Sequence, residues 1–306
     1  MNTKGKKFIS PGAWFSLVYP LDWCEFEDTE NTFLFYNPDK WTGNFRISAF
    51  KADPKLPEAM SYAKEALEEE LRDNSSAVRI KVGEWDCAYS KEMFQEEGVY
   101  YTSHIWITGR GNLVFECSFT VAKGGNVKEA ETILSSIEVR TEGKRYPKEI
   151  IPIRVLEIGE VNEAFEWASS TVKKQLKKDF TSSAEDIVKL QQMIDSGNFN
   201  AKQRDAWYSF GIAFGTILVN EIDGMEWVTV IDGNRELPAL RFGETDVMVY
   251  PQQLVWDKVK EEIGEFQDEV ANMDKDKAEA EFGDVLFSLI NAARLYKINP
   301  DNALER

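Results

Sequence analysis

The spacing of apolar residues first changes along this chain around "RTEGKRYPKEIIP" at residues 140–152, and that change excludes a single repeating architecture. Before it, aromatic and β-branched residues alternate with polar ones in short runs. These are "AWFSLVYP", "NTFLFYN", "GNFRISAF", "AVRIKVGEWDCAYS", "VYYTSHIWITG" and "NLVFECSFTVA", each bounded by Gly, Asn, Asp or Pro. They predict an antiparallel sheet. Between them "PEAMSYAKEALEEELRD" predicts a helix, with Pro57 at its start and Ala59, Ala63, Ala66, Leu67 and Leu71 on one face. "NVKEAETILSSIEV" opens with Asn126 as N-cap of a second helix. Two helices on a sheet make an α/β sandwich, expected over residues 1–145.

After the boundary, which mixes charge, Gly and two prolines, the apolar step becomes three and four residues. Ile158, Val161, Phe165, Ala168, Val172 and Leu176 form one helical stripe. "TSSAEDIVKLQQMIDSG" offers Ser182 and Ser183 as caps of a shorter helix that Gly197 ends. A third helix, about 200 to 221, carries Gly211 and Gly215 four apart, a spacing that lets another backbone approach closely. "MEWVTVIDGNRELPALRFGETDVMVYP" then predicts a strand, a turn at Asp232-Gly233-Asn234 and further short strands. Residues 150–252 are therefore expected to form a helical domain with a small antiparallel sheet. From residue 253 to 306 the pattern is all-α: Val259, Ile263, Phe266 and Val270 line one helix, "KAEAEFGDVLFSLINAARLYKI" a second, and Asn299-Pro300 opens another. The expected class is α+β multidomain.

Composition limits what such a chain can bind. With 306 residues, 43% of them hydrophobic, nine Trp and nineteen Phe, it has ample core material. A formal charge of −17 without a block of Lys or Arg argues against nucleic acid or an anionic membrane as partner. "MNTKGKKFISPGAWFSLVYP" lacks the apolar core of a signal peptide and no run is long enough to span a bilayer, so a cytoplasmic location is expected. Cys24, Cys87 and Cys117 are odd in number and lack CxxC spacing, which suits free thiols rather than disulfides or zinc. The one histidine, His104, falls on a strand face with Thr102 and Trp106, and no nucleophile motif accompanies it.

The acids near the C-terminus carry the strongest chemical signal. In "VKEEIGEFQDEVANMDKDKAEAEFGDVLFSL", Glu262 and Glu265 share one helix face, as do Glu281 and Asp284. If the two helices pack antiparallel through Ile263, Phe266, Leu286 and Leu289, the four carboxylates converge, with Glu261 at the edge. Hard oxygen donors without His or Cys suit Mg²⁺. Spacing alone favours two solvated helix faces over a metal site, because Lys258, Lys260, Lys275 and Lys277 alternate with the acids.

Three resemblances extend this reading. "FSLVYPLDW", followed by a sheet and a helix ending "ILSSIEV", resembles PsbP-like domains, which implies a sandwich and no particular reaction. The helices followed by "EIDGMEWVTV", "PALRF" and "VMVYP" resemble an uncharacterised bacterial domain family. "WDKVKEEIGEFQDEV" with "EAEFGDVLFSLINAARLYKINPDNALER" resembles the MazG nucleoside triphosphate pyrophosphohydrolases, whose signature Glu-Glu-x-x-Glu then Glu-x-x-Asp falls on Glu261, Glu262, Glu265, Glu281 and Asp284. That likeness implies an all-α fold, Mg²⁺ dependence and hydrolysis of a nucleoside triphosphate to monophosphate and pyrophosphate. Glu262, Glu265, Glu281 and Asp284 are then the expected metal ligands. Asn291 and Arg294 follow on the next turns as candidates for substrate contact. It departs from the family in one respect here, since strand-like "TDVMVYPQQ" stands where another helix precedes the acids. Nucleoside triphosphates, and further copies of the chain through the C-terminal helices, are the expected partners. The competing expectation is a non-enzymatic interaction module, with function in the first 250 or so residues and the tail a structural appendage.

Overall fold

The computed structural model describes residues 5–253, apart from residues 142 and 201 and the side chains of residues 27–29. The chain divides into two units. The first holds residues 5–156 with Val230–Glu236, and the second holds Glu157–Thr229 with residues 237–253.

In the first unit, β1 (Gly5–Ile9), β2 (Phe15–Pro20), β3 (Cys24–Thr29), β4 (Thr32–Tyr36) and β5 (Asn44–Lys51) precede helix α1 (Tyr62–Asp73). Strands β6 (Val78–Val82), β7 (Trp85–Glu96), β8 (Val99–Arg110) and β9 (Leu113–Ala122) follow, then α2 (Lys128–Ser135), β10 (Glu138–Val139) and β11 (Glu149–Pro152). Seven of the strands form one antiparallel sheet in the order β3-β4-β5-β9-β8-β7-β6. A smaller sheet, β1-β2-β10, is separate from it. The period-two pattern of the sequence becomes a two-faced sheet. Phe45, Ile47 and Ala49 of β5 and Phe115, Cys117 and Phe119 of β9 point into one core, joined by Phe8, Phe15, Leu17 and Trp23. Helix α2 closes that core with Ala130, Ile133 and Leu134. Aromatic rings dominate it, with Phe15 edge-on to Phe115 at 5.0 Å and Trp23 stacked with Phe119 at 6.5 Å. Helix α1 approaches β8 at Gly109, where an added Cβ would stand 2.9 Å from that of Ala63.

Several strands differ from expectation. "AVRIKVGEWDCAYS" is two strands, β6 and β7, which turn at Gly83. β1 was not visible in the pattern because Lys6 and Lys7 interrupt it, yet both lysines have partners. Lys6 Nζ donates to the Trp23 carbonyl at 2.9 Å and Lys7 pairs with Glu149 at 2.5 Å. Asn126 does not cap α2: the cap position is Val127, without a side-chain cap, and Asn126 Oδ1 instead accepts the Lys128 N–H at 2.9 Å in a local turn.

The segment 140–152 contains β11 and is tied into the first unit. Ile151 is buried with Ile9, Ala13 and Ile231, and the Tyr146 carbonyl accepts the Gly233 N–H at 3.1 Å. Gly233 adopts φ +67°, which the tight turn after Asp232 needs and a side chain would strain. Next to this cluster the Arg154 guanidinium is almost fully buried, with 1% exposed. It donates to the Ile9 carbonyl at 2.9 Å and to Glu236 at 2.7 Å.

The second unit contains most of α3 (Val155–Leu176), α4 (Asp186–Asp195), α5 (Arg204–Glu221), the base of the hairpin β12 (Met225–Asp232) and β13 (Arg235–Phe242), and β14 (Met248–Val249). Its core gathers Ala168 and Val172 of α3, Leu190 and Met193 of α4, and Trp207, Phe210, Ile217 and Leu218 of α5. The α3 stripe begins differently from the sequence expectation: Ile158 is exposed and Glu157 takes the inward position. At α4 the serines do not cap. The Asp186 carboxylate accepts the N–H groups of Thr181 at 2.5 Å and Ser183 at 3.3 Å and pairs with Lys189. Burial would raise the Asp186 pKa, but Lys189 and these N–H donors hold it below the usual carboxylate range. Gly197 follows α4 with φ +66°, as expected of a helix stop. The chain is mixed α and β with antiparallel sheets; the predicted C-terminal helices lie outside the described residues. Among the described residues no helix is long and apolar enough to cross a membrane.

Removing the Arg154 charge leaves Glu236 facing a buried space with no cation. Arg154→Met is expected to lower the stability of the first unit by about 3 kcal/mol. Pairing it with Glu236→Leu should recover most of that loss, both read from urea titrations followed by Trp fluorescence.

Candidate functional site

The acids singled out by sequence, Glu261, Glu262, Glu265, Glu281 and Asp284, lie outside the described residues, as do Asn291 and Arg294. The structure does place the chain that leads into them. After β14, Pro251 and Gln252 are buried against α5 at the two glycines noted for close approach. A Cβ on Gly211 would stand 2.4 Å from the Gln252 Cα, and one on Gly215 would stand 2.7 Å from both Pro251 Cγ and the Trp227 ring. The Gln252 amide donates from Nε2 to the Pro238 carbonyl at 2.8 Å, while its Oε1 is buried with no partner among the described residues.

Elsewhere the titratable groups behave as structure. Among the described residues no cluster of three or more His, Cys, Asp or Glu side chains could hold a metal ion. His104 lies on β8 opposite Lys91 of β7, and its ring runs nearly parallel to those of Tyr89 and Trp106, with centroids 6.0 and 6.1 Å away. Tyr89 Oη and His104 Nδ1 share a hydrogen bond of 2.7 Å. Burial, with Lys91 adding to it, pushes the imidazole pKa down; burial and then Glu131 push the Tyr89 hydroxyl up. Both groups are therefore neutral near pH 7, and no nucleophile stands beside them, which agrees with the sequence reading of His104 as structural.

In the second unit Glu157 is buried and accepts a hydrogen bond from Thr229 Oγ1 at 2.9 Å. Tyr208 is pushed up to about 12 by burial, then by Glu160 and Glu157. The stripe read from the sequence starts at Ile158 and leaves out Glu157, a charged side chain that a count of apolar residues does not register. Projecting Val172, Ala168, Ala164 and Val161 back by one more turn would have found it. Of the thiols, Cys24 is exposed, whereas burial pushes Cys87 up to about 11 and Cys117 well above the ordinary thiol range.

Comparison with known proteins divides the chain in three. Residues 3–162 match a domain of unknown function, DUF3805; residues 186–267 match a second, DUF3806; and residues 251–306 match the MazG nucleotide pyrophosphohydrolase domain. The last two overlap at residues 251–267, the stretch that holds Glu261, Glu262 and Glu265. A crystal structure at 1.50 Å resolution of a protein from Bacteroides thetaiotaomicron VPI-5482 is 58% identical, covering 84% of this chain and 93% of that one, with a TM-score of 0.80. Cyanobacterial PsbP (CyanoP) from Synechocystis sp. PCC 6803 is 14% identical over 44% of this chain and 92% of its own, with a TM-score of 0.23. LpqN of Mycobacterium tuberculosis, described as involved in cell envelope biogenesis, is 12% identical over 46% of this chain and 87% of its own, with a TM-score of 0.27. No curated protein matches.

Two outcomes test the electrostatics. The unfolded imidazole titrates near pH 6.5 and the folded one lower, so the unfolded chain takes up the proton first as pH falls. Stability should therefore be lost as pH drops from about 6.5 through the lowered folded pKa. The His104→Gln variant should show a flatter melting temperature between pH 7.5 and 5.5. A thiol reagent such as DTNB should label Cys24 alone in the native protein, and all three cysteines in denaturant.

Proposed function

The chain belongs to the DUF3805 family, whose description assigns no function, and from that premise we propose that its chemistry lies at the other end, as a Mg²⁺-dependent nucleoside triphosphate pyrophosphohydrolase. The observation that carries this reading is the MazG domain match over residues 251–306, which contains the whole acidic signature. The donor set fits a hard divalent cation: Glu262, Glu265, Glu281 and Asp284 offer carboxylate oxygens only, with no thiol or imidazole that would favour zinc. These four residues would hold Mg²⁺. When bound, the cation neutralises charge on the substrate phosphates and lowers the pKa of water.

The chain's own residues then have distinct tasks. Glu261, one residue before Glu262 in the sequence, would take the proton of the attacking water. Asn291 and Arg294 contact the substrate, Arg294 by charge-assisted hydrogen bonds to phosphate oxygens. Cleavage falls between the α and β phosphates, where water adds to phosphorus, pyrophosphate leaves and a nucleoside monophosphate remains.

A second reading, a non-enzymatic interaction module, draws on one observation. The far end of the β7/β8 hairpin exposes Met93 and Tyr100 on one face and Phe94 and Val99 on the other.

Incubation of the purified chain with each NTP and Mg²⁺ should release pyrophosphate, and EDTA should stop it. Glu265→Gln should reduce release by at least about a hundredfold, the scale of losing a group that acts in the transition state. Release equal in wild type and variant, or absent from both, would overturn the enzymatic reading and favour the interaction module.

A further inference from the structure

We propose that the open edge of β7 is the contact through which two copies of this chain pair, their β7 strands antiparallel about a two-fold axis level with Met93. The contact uses none of the residues proposed above for hydrolysis.

The sheet leaves this edge bare. β6 pairs with β7 only from Val82↔Trp85 to Val78↔Tyr89, whereas β8 accompanies β7 from Ala88↔Ile107 to Glu96↔Val99. From Ser90 to Glu96, β7 therefore has a strand on one side and, among the described residues, none on the other. Nor does a described helix or loop cover it, since every residue from Lys91 to Tyr100 is exposed. Which groups point outward follows from the hydrogen bonds on the far side of β8. The Lys123 N–H donates to the Tyr100 carbonyl at 2.8 Å, so Tyr100 bonds toward β9 and its alternates Val99, Tyr101 and Ser103 bond toward β7. Their β7 partners are Glu96, Phe94 and Glu92. Lys91, Met93 and Gln95 lie between these and turn their N–H and C=O groups to the free edge.

Native sheets blunt a bare edge with proline, a bulge or a cover. Here the β7/β8 register runs without a shift to the two-residue turn at Glu97 and Gly98, both at positive φ, and Ser90 to Glu96 includes no proline. Another strand satisfies such an edge, and β7 of a second copy can be that strand. In an antiparallel pair about a two-fold axis, facing residues share one face of the sheet, so the axis falls level with a single residue. With the axis at Met93, Met93 meets Met93, Lys91 meets Gln95 and Glu92 meets Phe94. Moved to Glu92 it sets Glu92 against Glu92, and moved to Phe94 it sets Glu92 against Glu96. Both neighbouring registers oppose like charges, which destabilises a strand pair. The Met93 register avoids this, and it joins the outward groups of Lys91, Met93 and Gln95 to those of Gln95, Met93 and Lys91 in the other copy. It also takes Met93 and Phe94, both exposed in the single chain, out of water at the centre of the contact. A contact this short is smaller than a permanent interface, so monomer and dimer should exchange at micromolar concentration.

The test uses the full chain, sedimented in the analytical ultracentrifuge over a concentration series, with circular dichroism to check folding. Wild type is expected to pass from monomer to dimer as concentration rises through the micromolar range. Gln95→Pro removes an outward N–H without removing a bond to β8, and the symmetric contact loses that donor twice. It should raise the dissociation constant at least about tenfold. Met93→Lys keeps the backbone and sets two ammonium groups against each other at the axis, so it carries the same expectation if the proline disturbs the hairpin. Cross-linking reads the register. On a Cys24→Ser background, where Cys87 and Cys117 are buried, a short bismaleimide should join two copies through Met93→Cys and not through Lys64→Cys on the exposed side of α1. A wild type that stays monomeric throughout the series would overturn the proposal. So would a dimer whose dissociation constant is unchanged in both folded variants, or equal cross-linking through the two introduced thiols, since the copies would then meet elsewhere.

Discussion

The first unit depends on one buried charge. Arg154 gives up water almost entirely, and a guanidinium in that state must be met by acceptors or the fold does not close. Its partners come from segments far apart in sequence, the Ile9 carbonyl at the end of β1 and Glu236 just past the β12/β13 turn. The small apolar cluster of Ile9, Ala13, Ile151 and Ile231 gathers the same three segments. Hydrophobic contact alone would tolerate sliding among them. A guanidinium that needs specific oxygens at specific distances does not, so this ion pair fixes which residues of the hairpin tip belong with the sandwich.

Much of the fold could be read from periodicity, for a physical reason. Strands such as β5 and β9 bury one face against an aromatic core, and that asymmetry is written as alternation. β1 escaped notice because two consecutive lysines, both half-buried, find partners in the Trp23 carbonyl and Glu149, a solution that hydrophobic counting cannot see. β11 escaped because its four residues end on Pro152 within a charged stretch. Neither Ser182 nor Ser183 caps α4; the buried Asp186 carboxylate in its first turn instead gathers the N–H groups of Thr181 and Ser183 before the helix, with Lys189 balancing its charge. The Gly211 and Gly215 spacing, by contrast, announced a close backbone approach, and Pro251–Gln252 supplies it.

The candidate site was legible by another route. Spacing put Glu262 with Glu265 and Glu281 with Asp284, but spacing is shared by any acidic helix. The resemblance to the MazG domain, which matches residues 251–306, draws on the neighbouring apolar residues as well as on the acids themselves. Buried Glu157 illustrates the reverse situation, an acid whose position periodicity could have given but whose polarity concealed it.

The division of the β12/β13 hairpin, tip with one unit and base with the other, means that the polypeptide passes between the units three times, after residues 156, 229 and 236. Two beads on a string are joined once, and a single cut or a shuffled gene boundary frees them. Here no single break in the chain yields two complete units. Separating the two units therefore takes three cuts rather than one.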